Sequence, residues 1–182
     1  RSAQIAPGGR EVAFIHRTDG TQQLLVVDLA SKQVRSIQTV KDSSSFDLDW
    51  VRWKGDDRLV IGATTALVEE GRAPTGQIMK QKDRTYRISR VFAIGPDGRN
   101  LVQMFQGQLS QLAGGWGSTL LLDALPGDPA HVMISAIDNS GFGAWKADVM
   151  TGKAERVANG DWQTADYATD GAGYPVMRFD ET

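Results

Sequence analysis

Apolar residues in this chain fall in short runs separated by polar turns, and the order of runs and turns repeats. Pro7-Gly8-Gly9-Arg10 leads into Val12-Ala13-Phe14-Ile15, Lys54-Gly55-Asp56-Asp57-Arg58 into Leu59-Val60-Ile61, Gly127-Asp128-Pro129 into Val132-Met133-Ile134, and Asp170-Gly171-Ala172-Gly173 into Val176-Met177. Runs this short, bounded by turn residues, predict strands rather than helices. The units recur about every 45 residues where no insertion intervenes, the spacing of four-stranded propeller blades.

The second half of the unit keeps the same register. Val26-Val27-Asp28-Leu29-Ala30-Ser31 lies without a gap over Lys146-Ala147-Asp148-Val149-Met150-Thr151. In both, an Asp precedes a turn where its carboxylate can accept backbone N–H groups. The middle copy uses Pro96-Asp97-Gly98 instead, Pro fixing φ and Gly accepting a positive φ.

The pattern therefore predicts an all-β chain, a partial β-propeller of four-stranded antiparallel blades. About three and a half blades are present, as part of a seven-bladed whole. Blade one covers about 1–40 and lacks its first strand, since few residues precede Pro7. Blade two covers about 45–106, with an insertion at 66–87. Blade three covers about 118–159, and blade four is begun at 161–182. The second strands, 12–15, 59–61 and 132–137, are apolar on both faces and require cover above and below, which stacked blades provide. Trp50, Trp53, Trp116, Trp145 and Trp162 are expected between blades.

Composition narrows the picture. The chain of 182 residues is 41% hydrophobic and 23% charged with a formal net charge of -2, an ordinary globular balance without the basic surplus that nucleic acid calls for. No apolar run approaches the ~20 residues of a membrane helix. The absence of cysteine excludes disulfides and thiolate metal sites, and leaves the compartment undetermined. The chain opens on Arg1-Ser2-Ala3-Gln4-Ile5 and reads as a piece of something longer.

With the blade register in hand, the sequence resembles the N-terminal β-propeller of bacterial prolyl oligopeptidase-type (S9) serine peptidases, the dipeptidyl and acylaminoacyl peptidase group. The stretches that carry this are Ile5-Ala6-Pro7-Gly8-Gly9-Arg10-Glu11-Val12-Ala13-Phe14, Trp53-Lys54-Gly55-Asp56-Asp57-Arg58-Leu59, Ser89-Arg90-Val91-Phe92-Ala93-Ile94 and Asp128-Pro129-Ala130-His131-Val132. The resemblance implies a seven-bladed lid over an α/β-hydrolase domain that follows in the same parent chain, acting on short peptides. That catalytic domain is not in this sequence. A nucleophile elbow needs Gly-x-Ser-x-Gly, and neither Ser118 nor Ser140 is flanked that way, so no residue here is expected to be catalytic. No cofactor is implied. Exported relatives favour the periplasm. Turns of this kind also occur in TolB-like propellers, so the alternative is a non-enzymatic protein-binding scaffold. A propeller hydrolase with a central metal finds too few His and inward acidic clusters.

Candidate sites are few. His16 and His131 each sit at a strand end, far apart in the repeat. Asp47 and Asp49 read as a solvated strand face, and no calcium loop is spelled out. The insertion at 66–87 is the one segment a propeller does not need, and it shares a rim with residues 41–45 and 106–117. Long loops on one rim of a rigid scaffold are where binding residues concentrate. It carries Glu69-Glu70, and the family resemblance implies an acidic pair that holds a peptide's free amino terminus; a solvated charged loop is the other reading. Two open blade faces are also expected, with self-association through them.

Overall fold

The computed structural model describes residues 3–41, 46–69, 84–112 and 118–181. Four antiparallel sheets follow one another along the chain. The first is β1 (Ala3–Ile5), β2 (Glu11–Thr18), β3 (Thr21–Asp28) and β4 (Val34–Lys41), paired in that order. The second is β5 (Phe46–Lys54), β6 (Arg58–Glu69), β7 (Arg84–Ile94) and β8 (Val102–Gln103). The third is β9 (Thr119–Asp123), β10 (His131–Asp138), β11 (Gly141–Asp148) and β12 (Ala154–Asn159), and the fourth is the hairpin of β13 (Thr164–Thr169) and β14 (Pro175–Asp180). These are three four-stranded blades and a two-stranded half. Among the described residues no helix is long and apolar enough to cross a membrane.

The blades stack face to face through apolar seams. Ala13, Leu24 and Val26 of the first blade meet Leu48, Val51, Leu59 and Ile61 of the second. Val60, Val91 and Ala93 of the second meet Val132, Ile134 and Trp145 of the third. Leu125, Met133 and Ala144 of the third meet Tyr167, whose ring stacks on Phe142. Burying one such aliphatic side chain stabilises by about 1.5–3 kcal/mol, so these seams rather than the turns hold the blades together. Close packing fixes residue identity locally. A Cβ on Gly62 would lie 2.1 Å from the indole of Trp50, its cross-strand partner, so only glycine lets that ring lie flat on the strand.

The turn chemistry follows the sequence. Asp148 Oδ1 accepts the N–H groups of Met150 and Thr151 at 2.7 and 2.8 Å, and Asp28 Oδ1 accepts Ser31 at 2.7 Å. Gly98 sits at φ +82°, as the Pro-Asp-Gly turn requires.

Several expectations need correction. Blade one has its first strand, because three residues of β1 suffice to pair with β2 over 12–14. In β2 only Ala13 of 12–15 is buried, since the first sheet is covered on one face; 59–61 and 132–136 are buried throughout. Trp53 and Trp145 are buried and Trp50 half-buried between blades, whereas Trp162 is 70% exposed on the link into β13. Trp116 lies outside the described residues. The ends of the segment 66–87 continue the ladder, Ala66 pairing with Arg87 and Glu69 with Arg84. The outer strand of blade two is cut to two residues because the chain turns away at Phe105, which holds φ +64°. Its buried ring packs edge-on against Trp145 at 5.1 Å, offsetting the cost of a left-handed aromatic residue.

Candidate functional site

Because strands alternate in direction, second-to-third turns and blade links emerge at one rim, and the remaining turns at the other. The first rim carries the hairpin of β6 and β7, which runs past the end of β5: the last β5 partner is Phe46 opposite Thr65, and only β7 accompanies β6 beyond it. Glu69 closes β6. Glu70, its companion in the acidic pair, lies outside the described residues.

The base of this hairpin is tied to the neighbouring blade. Arg87 on β7 donates to Asp47 Oδ2 at 2.7 Å, and the other oxygen of Asp47 accepts Gln22 Nε2 of blade one at 2.7 Å. Gln22 is buried, and its carbonyl accepts the Leu48 N–H at 2.6 Å, so one amide side chain bridges two sheets. Arg17 donates to the Leu48 carbonyl beside it. Asp49 accepts Thr64 Oγ1 at 2.6 Å. Asp47 therefore belongs to a network at the root of the hairpin, while Asp49 lies on an exposed face, as its alternation suggested, and holds Thr64 there.

The opposite rim holds buried cations that the sequence hid among turn residues. Lys54 is 3% exposed and donates to the carbonyls of Ala124 and Leu125 in the next blade, the latter at 2.7 Å. Burial pushes its ammonium below the ordinary value, while the carboxylates of Asp128 and Asp123 pull it back up. Arg58 donates to Asn100 O at 3.0 Å within its blade and to Val149 O of blade three. Asp128 gathers Lys146 Nζ at 2.8 Å, the His131 ring at 3.0 Å and the Ala130 N–H at 3.0 Å. The Lys146 hydrogen bond leads in holding its carboxyl well below the usual range, against an opposing push from burial. These contacts clamp blades two and three and orient the 124–131 turn. Nothing in one sequence separates a turn lysine that reaches a neighbouring blade from one that points into water.

His16 is exposed on β2 and His131 is engaged with Asp128, in different blades. Among the described residues no group of three or more His, Cys, Asp or Glu is placed to hold a metal ion.

No family model matches the chain, and no curated protein matches its sequence. Solved structures do. An acylaminoacyl peptidase bound to Z-Gly-Gly-Phe-chloromethyl ketone aligns over 89% of this chain and 27% of its own, with a TM-score of 0.54 at 14% identity. The fold is a partial β-propeller. Acylaminoacyl peptidase from Pyrococcus horikoshii shares it over 86% of this chain and 24% of its own, with a TM-score of 0.52 at 14% identity. Oligogalacturonate lyase from Vibrio parahaemolyticus does so over 94% and 44%, with a TM-score of 0.53 at 12% identity. The resemblance to a peptidase propeller read from the sequence is thus matched in fold. The same blades also serve a lyase, so fold alone does not select a chemistry. The chain spans from about a quarter to under half of these structures.

Proposed function

We propose that this chain is a stretch of the substrate-gating propeller of a prolyl oligopeptidase-like serine peptidase that cleaves short peptides. The observation that carries the reading is a coincidence of sequence with position. The family-like stretches 5–14, 53–59 and 128–132 all lie where the first strand of a blade turns into the second, between β1 and β2, β5 and β6, and β9 and β10. The fold likeness to acylaminoacyl peptidase supports it over most of the chain.

In this reading the propeller supplies no reacting group. A hydrolase domain of the same parent chain provides serine, aspartate and histidine, and the blades admit short peptides while excluding folded proteins. The hairpin of β6 and β7 stands on the rim where a peptide is received. Glu69 and Glu70 hold the peptide's free amino terminus, the ammonium lying between carboxylates in charge-assisted hydrogen bonds.

The test uses the full-length enzyme with Glu69→Gln and Glu70→Gln. KM for peptides with a free amino terminus should rise by about tenfold or more, with N-blocked peptides little changed, since a charged hydrogen bond contributes about 1.5–3 kcal/mol. Equal effects on both peptide types would remove the pair from recognition. Hydrolysis of folded proteins at rates near those of short peptides would reject gating itself.

A further inference from the structure

Two arginines from different blades are anchored on consecutive residues of β5. Arg17, near the end of β2, donates to the Leu48 carbonyl, and Arg87 on β7 donates to Asp47 Oδ2 at 2.7 Å. Both stand at the rim where the hairpin of β6 and β7 rises. Both stay open to water, Arg17 being exposed and the Arg87 side chain keeping 56% of its surface. Gln22, opposite Arg17 in the ladder of β2 and β3, fixes the platform they share. Its buried amide holds Asp47 Oδ1 and the Leu48 N–H together. Each guanidinium is thus held in place by one contact, and among the described residues neither makes a second, so most of each N–H fork is free.

The charges at this point are not matched as they are elsewhere. Arg35, Arg156 and Arg178 each face a carboxylate. Arg17 meets a carbonyl, which offers a dipole and no countercharge. Among the described residues Asp47 is the one carboxylate in ion-pair contact with either arginine, and both its oxygens are taken, by Arg87 and by Gln22. Asp49 is turned onto Thr64. Two guanidinium groups fixed on neighbouring residues repel one another. An anion received by their free edges removes that repulsion and makes charge-assisted hydrogen bonds. The planar fork of arginine fits a carboxylate or a phosphate, but Asp47 and Asp49 beside it oppose a second negative charge, which favours the carboxylate.

We propose that Arg17 and Arg87 form a carboxylate site that receives the acidic end of a short peptide between blades one and two. The proposal rests on the peptide-gating reading above and gives the bound peptide a direction, with its amino terminus at the hairpin's acidic pair and its carboxylate at the hairpin's root. The register sets a length. Ala66, the partner of Arg87, lies three positions before Glu69 on β6, about 10 Å at the rise of a strand. An extended peptide of about three or four residues covers that distance. A chain terminus and an acidic side chain offer the same chemistry, and the experiment separates them.

Binding is read by isothermal titration calorimetry on this chain, checked for folding by circular dichroism. The probes are N-acetyl-trialanine with a free carboxylate, its C-terminal amide, and that amide with a central glutamate; acetylation removes any contribution of the acidic pair. The free acid should bind about tenfold or more tightly than the amide. Arg17→Gln and Arg87→Gln should each remove most of that preference and leave binding of the amide unchanged, a selective loss that a merely structural role would not produce. Where a glutamine variant fails to fold, the corresponding lysine variant, which keeps the charge without the fork, should retain part of the preference. Acetate should displace the free acid at lower concentration than phosphate. Equal binding of acid and amide, a preference that survives both substitutions, or stronger displacement by phosphate would overturn the proposal, and a glutamate-containing amide that binds as the free acid does would overturn the assignment to the chain terminus. No bond is cleaved in this assay, so its outcome is separate from whether the parent protein hydrolyses peptides, which the kinetic test above decides.

Discussion

Replacing Lys54 by Met tests how the second and third blades are joined. The Lys54 ammonium is almost wholly buried and donates to two carbonyls of the turn that follows β9. That turn contains Leu125, fully buried at φ +48°, a left-handed backbone that costs a non-glycine residue about 1–2 kcal/mol. Met nearly conserves the volume, so the packing loss stays below about 1.5 kcal/mol. What remains are two carbonyls without their donor, each costing about 1–3 kcal/mol if no water replaces it. Relief from holding an ammonium out of water offsets part of this, since burial already lowers the Lys54 pKa. The net expectation is about 2–3 kcal/mol of destabilisation, or roughly 5–10 °C in Tm for a chain of this size. Urea unfolding followed by tryptophan fluorescence measures it, with the exposed Lys153→Met as control, expected within about 0.5 kcal/mol of the parent. A Lys54→Met protein as stable as that control would show that the clamp contributes nothing and that the seams alone join the blades.

Gly62→Ala drives a methyl group into the Trp50 indole, and overpacking should lower stability by about 1–3 kcal/mol. Trp50→Leu in the same chain should recover part of that loss in a double-mutant cycle, whereas strict additivity would mean the two residues do not meet. Asp128→Asn probes the pH dependence. The folded carboxyl is held below its unfolded value of about 3.9, so the folded state binds fewer protons, and its contribution is complete above that pH and lost as pH falls through the folded value. The stability gap between parent and Asp128→Asn should therefore be widest at neutral pH and narrow below about pH 4 in equilibrium unfolding. A gap independent of pH would assign the effect to shape and not to charge.

The repeat was legible in one sequence because turn residues and apolar runs are local signals. Gly98 and Asp148 do in the structure what their turns require wherever the chain is placed. Residues whose role depends on a neighbouring blade were not legible. Lys54 and Arg58 look like turn cations until the next blade supplies their acceptors. Asp47 looks solvated until Gln22 and Arg87 arrive from other strands. Trp162 differs in the opposite direction, since it lies on the link before β13 rather than in a strand, and is exposed there.

The central claim is that these blades belong to the gating propeller of a serine peptidase, and the most direct measurement is to read the parent reading frame on past Thr182. The account predicts further turn–strand units at about 45-residue spacing, completing seven blades, and then a Gly-x-Ser-x-Gly elbow with a downstream Asp and His. A stop codon at that point, or a continuation with neither blades nor elbow, would contradict it.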